Sequence, residues 1–175
     1  MSLLNKKYLS PFTIILADPN PFMRSVTRQV LATFGAEKII ETDSIKSLIG
    51  SADLTEADLI IAELFFSDGS LLEFMKETRA SLGKEKFIPV LLISAYTMRS
   101  WIFAARDAGI DEIIAKPLTV KSIISRIKEV VENRRAFIET AKYFGPDRRR
   151  RAGHPPTNKE RRINPQGAPG KFGMH

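Results

Sequence analysis

The sequence predicts an α/β fold in which five short strands, each followed by a helix, form a doubly wound parallel sheet that carries a disordered basic tail. Three observations predict it. Apolar runs of four to seven residues alternate five times with segments whose apolar residues keep helical spacing, and such alternation builds parallel strand–helix–strand units. The strand candidates are apolar at successive positions, as in a sheet covered on both faces. The charge is unevenly divided: residues 141–175 hold nine Lys and Arg against Asp147 and Glu160. That excess equals the whole chain's net charge of +7 and leaves residues 1–140 neutral.

Phe12–Ala17 is the first strand. Asn20-Pro21 supplies an N-cap and a proline at the first helical position. Met23, Val26, Val30 and Phe34 then keep helical spacing up to Gly35. Glu37–Glu41 is the second strand, and Ser44 caps a helix reaching about Ser51. Asp58–Glu63 is the third strand. Asp68-Gly69 turns into a helix from Ser70 to Ser81. Ile88–Ser94 is the fourth strand, followed by a helix from Met98 to Ala108 that Gly109 stops. Glu112–Ala115 is the fifth strand. Thr119 caps the last helix, whose Val120, Ile123, Ile124, Ile127, Val130 and Val131 share one stripe.

Composition excludes several classes. The chain has no cysteine, which removes disulfide scaffolds, cysteine zinc sites and thiol nucleophiles. No apolar run approaches the roughly 20 residues that a membrane span needs. Lys6 and Lys7 precede an apolar run, but Ser10-Pro11 interrupts it and no small-residue cleavage site follows. Residues 1–11 therefore read as a leader, 12–139 as the domain and 140–175 as a tail. The tail has five Pro, five Gly and few aliphatic residues, too little apolar area to offset the entropy of ordering it. A cytoplasmic protein is expected.

In doubly wound sheets, functional groups gather at the carboxyl ends of the strands. Here those ends carry Asp18, Glu63, Ser94 and Lys116-Pro117. The segments ILADPNPFMR, DLIIAE before an Asp-Gly turn, ISA and AKP follow in that order. Together they resemble the receiver domain of bacterial two-component response regulators, the CheY-like family, over roughly residues 12–135. The resemblance implies a flavodoxin-like strand order of 2-1-3-4-5 and no enzymatic activity beyond signalling. In that family a histidine kinase passes a phosphoryl group to an Asp ending the third strand, and two acids after the first strand help to bind Mg²⁺. By this resemblance Ser94 matches the hydroxyl and Lys116 the lysine that contact the phosphoryl oxygens, and Asp18 matches the first acid.

Two positions depart from the pattern. Pro19 stands at the second acid and Glu63 at the phosphoacceptor. The loop from Glu63 to Asp68-Gly69 is about two residues shorter than usual, and Ile113 occupies the aromatic switch position. Mg²⁺ demands near-octahedral oxygen ligation, and a proline ring offers no donor. Weak Mg²⁺ binding or none is expected, and phosphorylation is expected to be lost. Glu63 either imitates a phosphorylated aspartate toward Ser94 and Lys116 or pairs with Lys116 and shuts the pocket.

The tail segment YFGPDRRRR places Tyr143 and Phe144 beside Asp147, Arg148, Arg149, Arg150 and Arg151, with Arg161 and Arg162 further on. Arginine offers planar forks for phosphate and for guanine O6/N7, aromatic rings stack on bases, and Asp147 could accept from a guanine N–H edge. This segment resembles the arginine-rich tails of CheY-like cyclic di-GMP effectors. That resemblance implies cyclic di-GMP as ligand and the flagellar motor switch as protein partner.

The fourth helix carries Arg99, Trp101, Ile102 and Phe103 too close together for all to be buried, which marks a partner face. No helix-turn-helix pattern follows the domain, so sequence-specific DNA binding is not expected. The alternatives are an ordinary phosphorelay receiver and a basic-tailed binder of nucleic acid or anionic surfaces.

Overall fold

Along β1 (Thr13–Ala17) all five side chains are buried. Ile14 and Leu16 enter one apolar layer, and Ile15 and Ala17 enter the other, because strand side chains alternate between faces. The computed structural model describes residues 7–50, 52–141, 143–148 and 161–163, with the backbone alone at 52, 53 and 161–163. After β1 come α1 (Pro21–Thr33), β2 (Lys38–Thr42), α2 (Ile45–Ile49), β3 (Leu59–Ala62), β4 (Phe65–Phe66), β5 (Gly69–Ser70), α3 (Leu71–Ala80) and β6 (Val90–Ser94). Then follow α4 (Arg99–Asp107), β7 (Glu112–Ala115), α5 (Val120–Glu132), β8 (Phe137–Thr140), β9 (Tyr143–Pro146) and β10 (Arg161–Ile163). The main sheet has the order β2-β1-β3-β6-β7, with every pair parallel. Counted over the five expected strands, this is 2-1-3-4-5.

The caps lie where the sequence puts them. The Asn20 side chain accepts from the N–H groups of Phe22 and Met23. Ser44 accepts from Ser47 and Ser70 from Glu73. Thr119 forms a reciprocal capping box with Ser122. Each such cap stabilises its helix by about 1 kcal/mol. Leu31 of α1 packs with Ile123, Ile124 and Ile127 of α5 on one face of the sheet. Leu48 of α2, Phe74 and Met75 of α3 and Ala105 of α4 cover the other. No helix among the described residues is long and apolar enough to cross a membrane.

Two expected boundaries are corrected. The leader enters the core, because Leu9 is fully buried and its N–H donates to the Phe34 carbonyl at 2.9 Å. The limit expected at residue 139 falls inside a hairpin. Strands β8 and β9 pair antiparallel, and β10 pairs with the other edge of β8, so the segment expected to be disordered contributes two strands. The physical reason is an aromatic cluster in which Phe137, buried completely, meets Phe87 at 5.3 Å and Phe144 at 5.4 Å.

The floor under that cluster is Arg79 of α3, 4% exposed, with its guanidinium 5.0 Å over the Phe137 ring. Its donors are spent on the carbonyls of Gly109, Lys86 and Ile88 and on the Asp111 carboxylate. Gly109 has φ +83°, a conformation that glycine adopts without steric cost. A Cβ there would stand 3.3 Å from the Phe144 carbonyl, and a Cβ on Gly145 would stand 3.1 Å from Gly109 Cα. The two backbones touch because neither residue has a side chain.

Candidate functional site

Three of the four expected groups meet at the carboxyl edge of the sheet. Asp18 follows β1, Glu63 follows β3, and Lys116 follows β7. Lys116 Nζ donates to Glu63 Oε2 at 2.6 Å and to Asp18 Oδ2 at 3.4 Å. Glu63 Oε1 accepts from the Leu64 N–H at 2.7 Å, and Asp18 Oδ1 from the Asn20 N–H at 2.8 Å. Asp18 and Glu63 are both buried. Burial alone would lower the Lys116 pKa, but hydrogen bonding and charge from Glu63 and then Asp18 outweigh it and hold the ammonium above the ordinary lysine range.

Ser94, the fourth group, ends β6 and is buried. Its hydroxyl accepts from the Tyr96 N–H at 3.1 Å, and its hydrogen bonds do not include Glu63. Of the two arrangements open in the sequence, the geometry contains the Glu63–Lys116 pair. Ile113 is half-buried against the layer that holds Phe65 and Trp101. Asp68, read as a turn residue, lies in the turn between β4 and β5 and also reaches α2. Its carboxylate accepts from the N–H groups of Lys46 (2.8 Å) and Ile45 (3.0 Å), and those bonds lower its pKa.

The donor set does not fit Mg²⁺. All four oxygens of Asp18 and Glu63 already accept a hydrogen bond, and Pro19, exposed beside them, adds no oxygen. Among the described residues no three His, Cys, Asp or Glu side chains gather at one point. A hard divalent cation would compete with Lys116 for Glu63 Oε2 and Asp18 Oδ2.

The tail residues divide. Phe144, expected to stack on bases, packs instead on Phe87 and Phe137. Tyr143 donates its hydroxyl to the Pro146 carbonyl at 2.8 Å, and its ring lies 3.7 Å below the Arg148 guanidinium. Arg148 also pairs with Asp107 at the end of α4, at 3.0 Å. The Asp147 N–H donates to the Ala136 carbonyl at 2.8 Å. Arg161 and Arg162 have their backbone in β10. Arg149, Arg150 and Arg151 lie outside the described residues.

On α4, Arg99 is exposed, and Ile102 (41%) and Phe103 (40%) are the large apolar residues open to solvent. As expected, the run is not all buried, but Trp101, named with the partner face, is the least open of its large apolar residues. It is half-buried, with its ring edge-on to Phe65 at 5.1 Å. Sequence reasoning missed the groups between α4 and α5, where Glu112 is buried and pairs with Arg126 at 3.3 Å and with Arg135. Nothing in the local pattern marks a strand-opening Glu as the shared partner of two distant arginines.

Comparisons with known proteins agree with this geometry. A family model described as "Response regulator receiver domain" matches residues 14–128. Chemotaxis protein CheY-3 of Vibrio cholerae is 24% identical over 131 residues, covering 75% of this chain and 97% of its own length. The KDP operon transcriptional regulatory protein KdpE of Escherichia coli is 26% identical over 115 residues, 66% of this chain and 49% of KdpE. The match to Histidine kinase P4 of Formosa agariphila spans 10% of that protein, so the chain covers half or less of some relatives. Among solved structures, the signal receiver domain of a signal transduction histidine kinase from Syntrophus aciditrophicus superposes with TM-score 0.63 at 17% identity, covering 70% of this chain and 91% of that one. The receiver domain of the histidine kinase CKI1 from Arabidopsis thaliana gives 0.60 at 19%, covering 71% and 94%. These two likenesses show the fold.

Proposed function

The chain belongs to the response regulator receiver domain family, and from that footing we propose a signalling module, not an enzyme, that works without phosphoryl transfer. In this reading its arginine-rich C-terminal segment binds cyclic di-GMP in the cytoplasm, and the bound form engages a protein partner, the flagellar motor switch. The observation that carries the first half is the Lys116 ammonium held between Glu63 and Asp18. Phosphoryl transfer depends on a positioned nucleophile and on charge neutralisation, and here the carboxylate tied to Lys116 is a Glu, one methylene longer than the family's Asp, while Pro19 replaces an acid that would help to hold the metal. The Arg148 guanidinium stacked on Tyr143 at the start of the arginine run supports the second half. Arginine forks and flat cationic faces suit a ligand with two phosphates and two guanines. The names of CheY-3 and of the Pseudomonas aeruginosa chemotaxis protein CheY, 22% identical over 119 residues, accord with a motility role.

The test is calorimetric titration of the full chain with cyclic di-GMP, GTP and single-stranded RNA at fixed salt. Ordering the segment costs on the order of 2–5 kcal/mol, so micromolar affinity for cyclic di-GMP is expected. Arg149→Ala with Arg150→Ala should abolish binding. Asp147→Ala should weaken it if a guanine edge is read, and would strengthen it if charge alone attracts the ligand. Equal binding of RNA and cyclic di-GMP would overturn the reading in favour of a general anion binder.

A further inference from the structure

Helix α4 is held weakly by its own residues. Of its nine residues Ala105 alone is buried, and its N-cap, Met98, makes no side-chain hydrogen bond. Helix α5, by contrast, buries five side chains and opens on a capping box. Near its start α4 rests Trp101 on the Phe65 ring. Its end is held by the hairpin of β8 and β9. Asp107, the last residue of α4, pairs with Arg148 at 3.0 Å; its other cation, Arg106 at 3.7 Å, belongs to α4 itself. The Arg148 guanidinium lies 3.7 Å over the Tyr143 ring, and Phe144 seats the hairpin on Phe87 and Phe137. Gly109, two residues beyond α4, lies so near Gly145 that a Cβ on Gly145 would stand 3.1 Å from Gly109 Cα. From below, the Gly109 carbonyl accepts from Arg79 Nε at 3.1 Å and Nη2 at 2.9 Å. The carboxyl-edge pocket has no such hold on α4. The side chains of Glu63, Asp18 and Lys116 bond to one another and to the N–H groups of Leu64 and Asn20, none of which lies on α4.

From this we infer that the hairpin is a strap that sets the position of α4, so that the face carrying Arg99 and Ile102 is governed from the C-terminal segment instead of from the Glu63–Lys116 pocket. The inference rests on the reading above, in which the module works without phosphoryl transfer, and it names the contact that regulates the face in its place. A helix with one buried side chain gains little from burial, so its local opening depends on what grips its ends. Displacing the hairpin removes the Asp107–Arg148 pair and the backbone contact at Gly109 together. Whatever shifts the hairpin therefore acts on α4 without touching it.

Amide hydrogen exchange on the full chain reads the opening of each element separately. Gly145→Val drives a side chain against the Tyr143 hydroxyl, 2.6 Å from where a Cβ would stand, and against Gly109. The amides of Ile102, Phe103, Ala105 and Arg106 should then exchange about tenfold faster or more, while those of Ile14, Leu16 and Ile60 in β1 and β3 stay within about twofold. Arg148→Gln removes the ion pair and leaves the backbone contact. It should speed the same α4 amides about threefold, the scale of one partly exposed ion pair, and it decides the matter if Gly145→Val does not fold. Glu63→Gln keeps the side chain's shape, removes the charge that holds Lys116, and should leave the α4 amides within about twofold. Unchanged α4 exchange in the folded hairpin variants, or acceleration shared equally by β1 and β3, overturns the strap and leaves the phosphoryl-free reading in place. Acceleration by Glu63→Gln as large as that by the hairpin variants returns control of the face to the pocket and overturns the strap too. In the unaltered chain, α4 exchange that responds to beryllofluoride with Mg²⁺ would overturn both.

Discussion

Glu63 Oε2 and Lys116 Nζ stand 2.6 Å apart although 53 positions separate them in sequence. They meet because β3 and β7 flank β6 in one parallel sheet and end at the same edge. The ammonium occupies the space in front of the carboxylate, and Asp18 fixes it from a second side.

This closure has a chemical outcome. Acetyl phosphate, or beryllofluoride with Mg²⁺, is expected to leave the amide resonances of Glu63, Ser94 and Lys116 in place. Pro19→Asp combined with Glu63→Asp should restore Mg²⁺-dependent shifts, because it returns an oxygen donor and shortens the side chain that reaches the lysine. Saturable shifts in the unaltered chain would show that the site still accepts the phosphoryl analogue.

Lys116→Met should lower stability by about 1–3 kcal/mol, since it leaves two buried carboxylates without their cation and the lysine is not wholly buried. The sign with pH follows from the raised pKa. A cation held above its ordinary 10.5 contributes stability that is complete below that value and is lost as pH climbs through the folded value. Urea unfolding should therefore show a constant gap between the two proteins from about pH 8 to about pH 10, narrowing above it. A gap that widened with alkalinity would contradict the ion pair.

Phe137→Ala is expected to cost about 3–5 kcal/mol, the range for deleting a fully buried aromatic ring, and urea unfolding measures it directly. A chain ended at Thr140 should also lose stability, because Phe144 leaves Phe87 and Phe137.

On α4 the two neighbouring apolar residues should separate. Ile102→Asp is expected to keep the thermal transition within about 2 °C and to abolish partner binding, as a charge placed in an exposed apolar patch does. Trp101→Asp should unfold the domain or lower its transition sharply, because it buries a charge against Phe65. A stable Trp101→Asp protein would show that the ring makes no structural contribution.

Most of the main sheet was legible in the sequence. Glu112–Ala115 was placed to the residue, and Asn20, Ser44, Ser70 and Thr119 announced their helices through side-chain oxygens that do one local job. The pocket was legible for the same reason: parallel strands deliver their ends to one edge whatever the loops contain. The hairpin was not legible. Gly145-Pro146 reads as a turn, and the surrounding charge hides four large apolar residues, Phe137, Ile138, Tyr143 and Phe144, within eight positions. What holds it is Arg79, a residue type that is almost never fully buried unless paired. Its burial depends on carbonyls from Lys86, Ile88 and Gly109 that no local pattern connects. The paired arginines between α4 and α5 escaped notice likewise.

The contact between Gly109 and Gly145 bears on how freely the C-terminal segment can be transplanted. A Cβ on either glycine would press on the other segment's backbone, so the hairpin cannot be treated as a cassette that fits any receiver scaffold. A recipient would need a glycine at the end of its fourth helix and a guanidinium beneath it at the place of Arg79. Without both, grafted residues 133–175 would be joined by peptide bond yet have no seat. The arginine run would then hang from a flexible joint instead of starting at a fixed address beside α4.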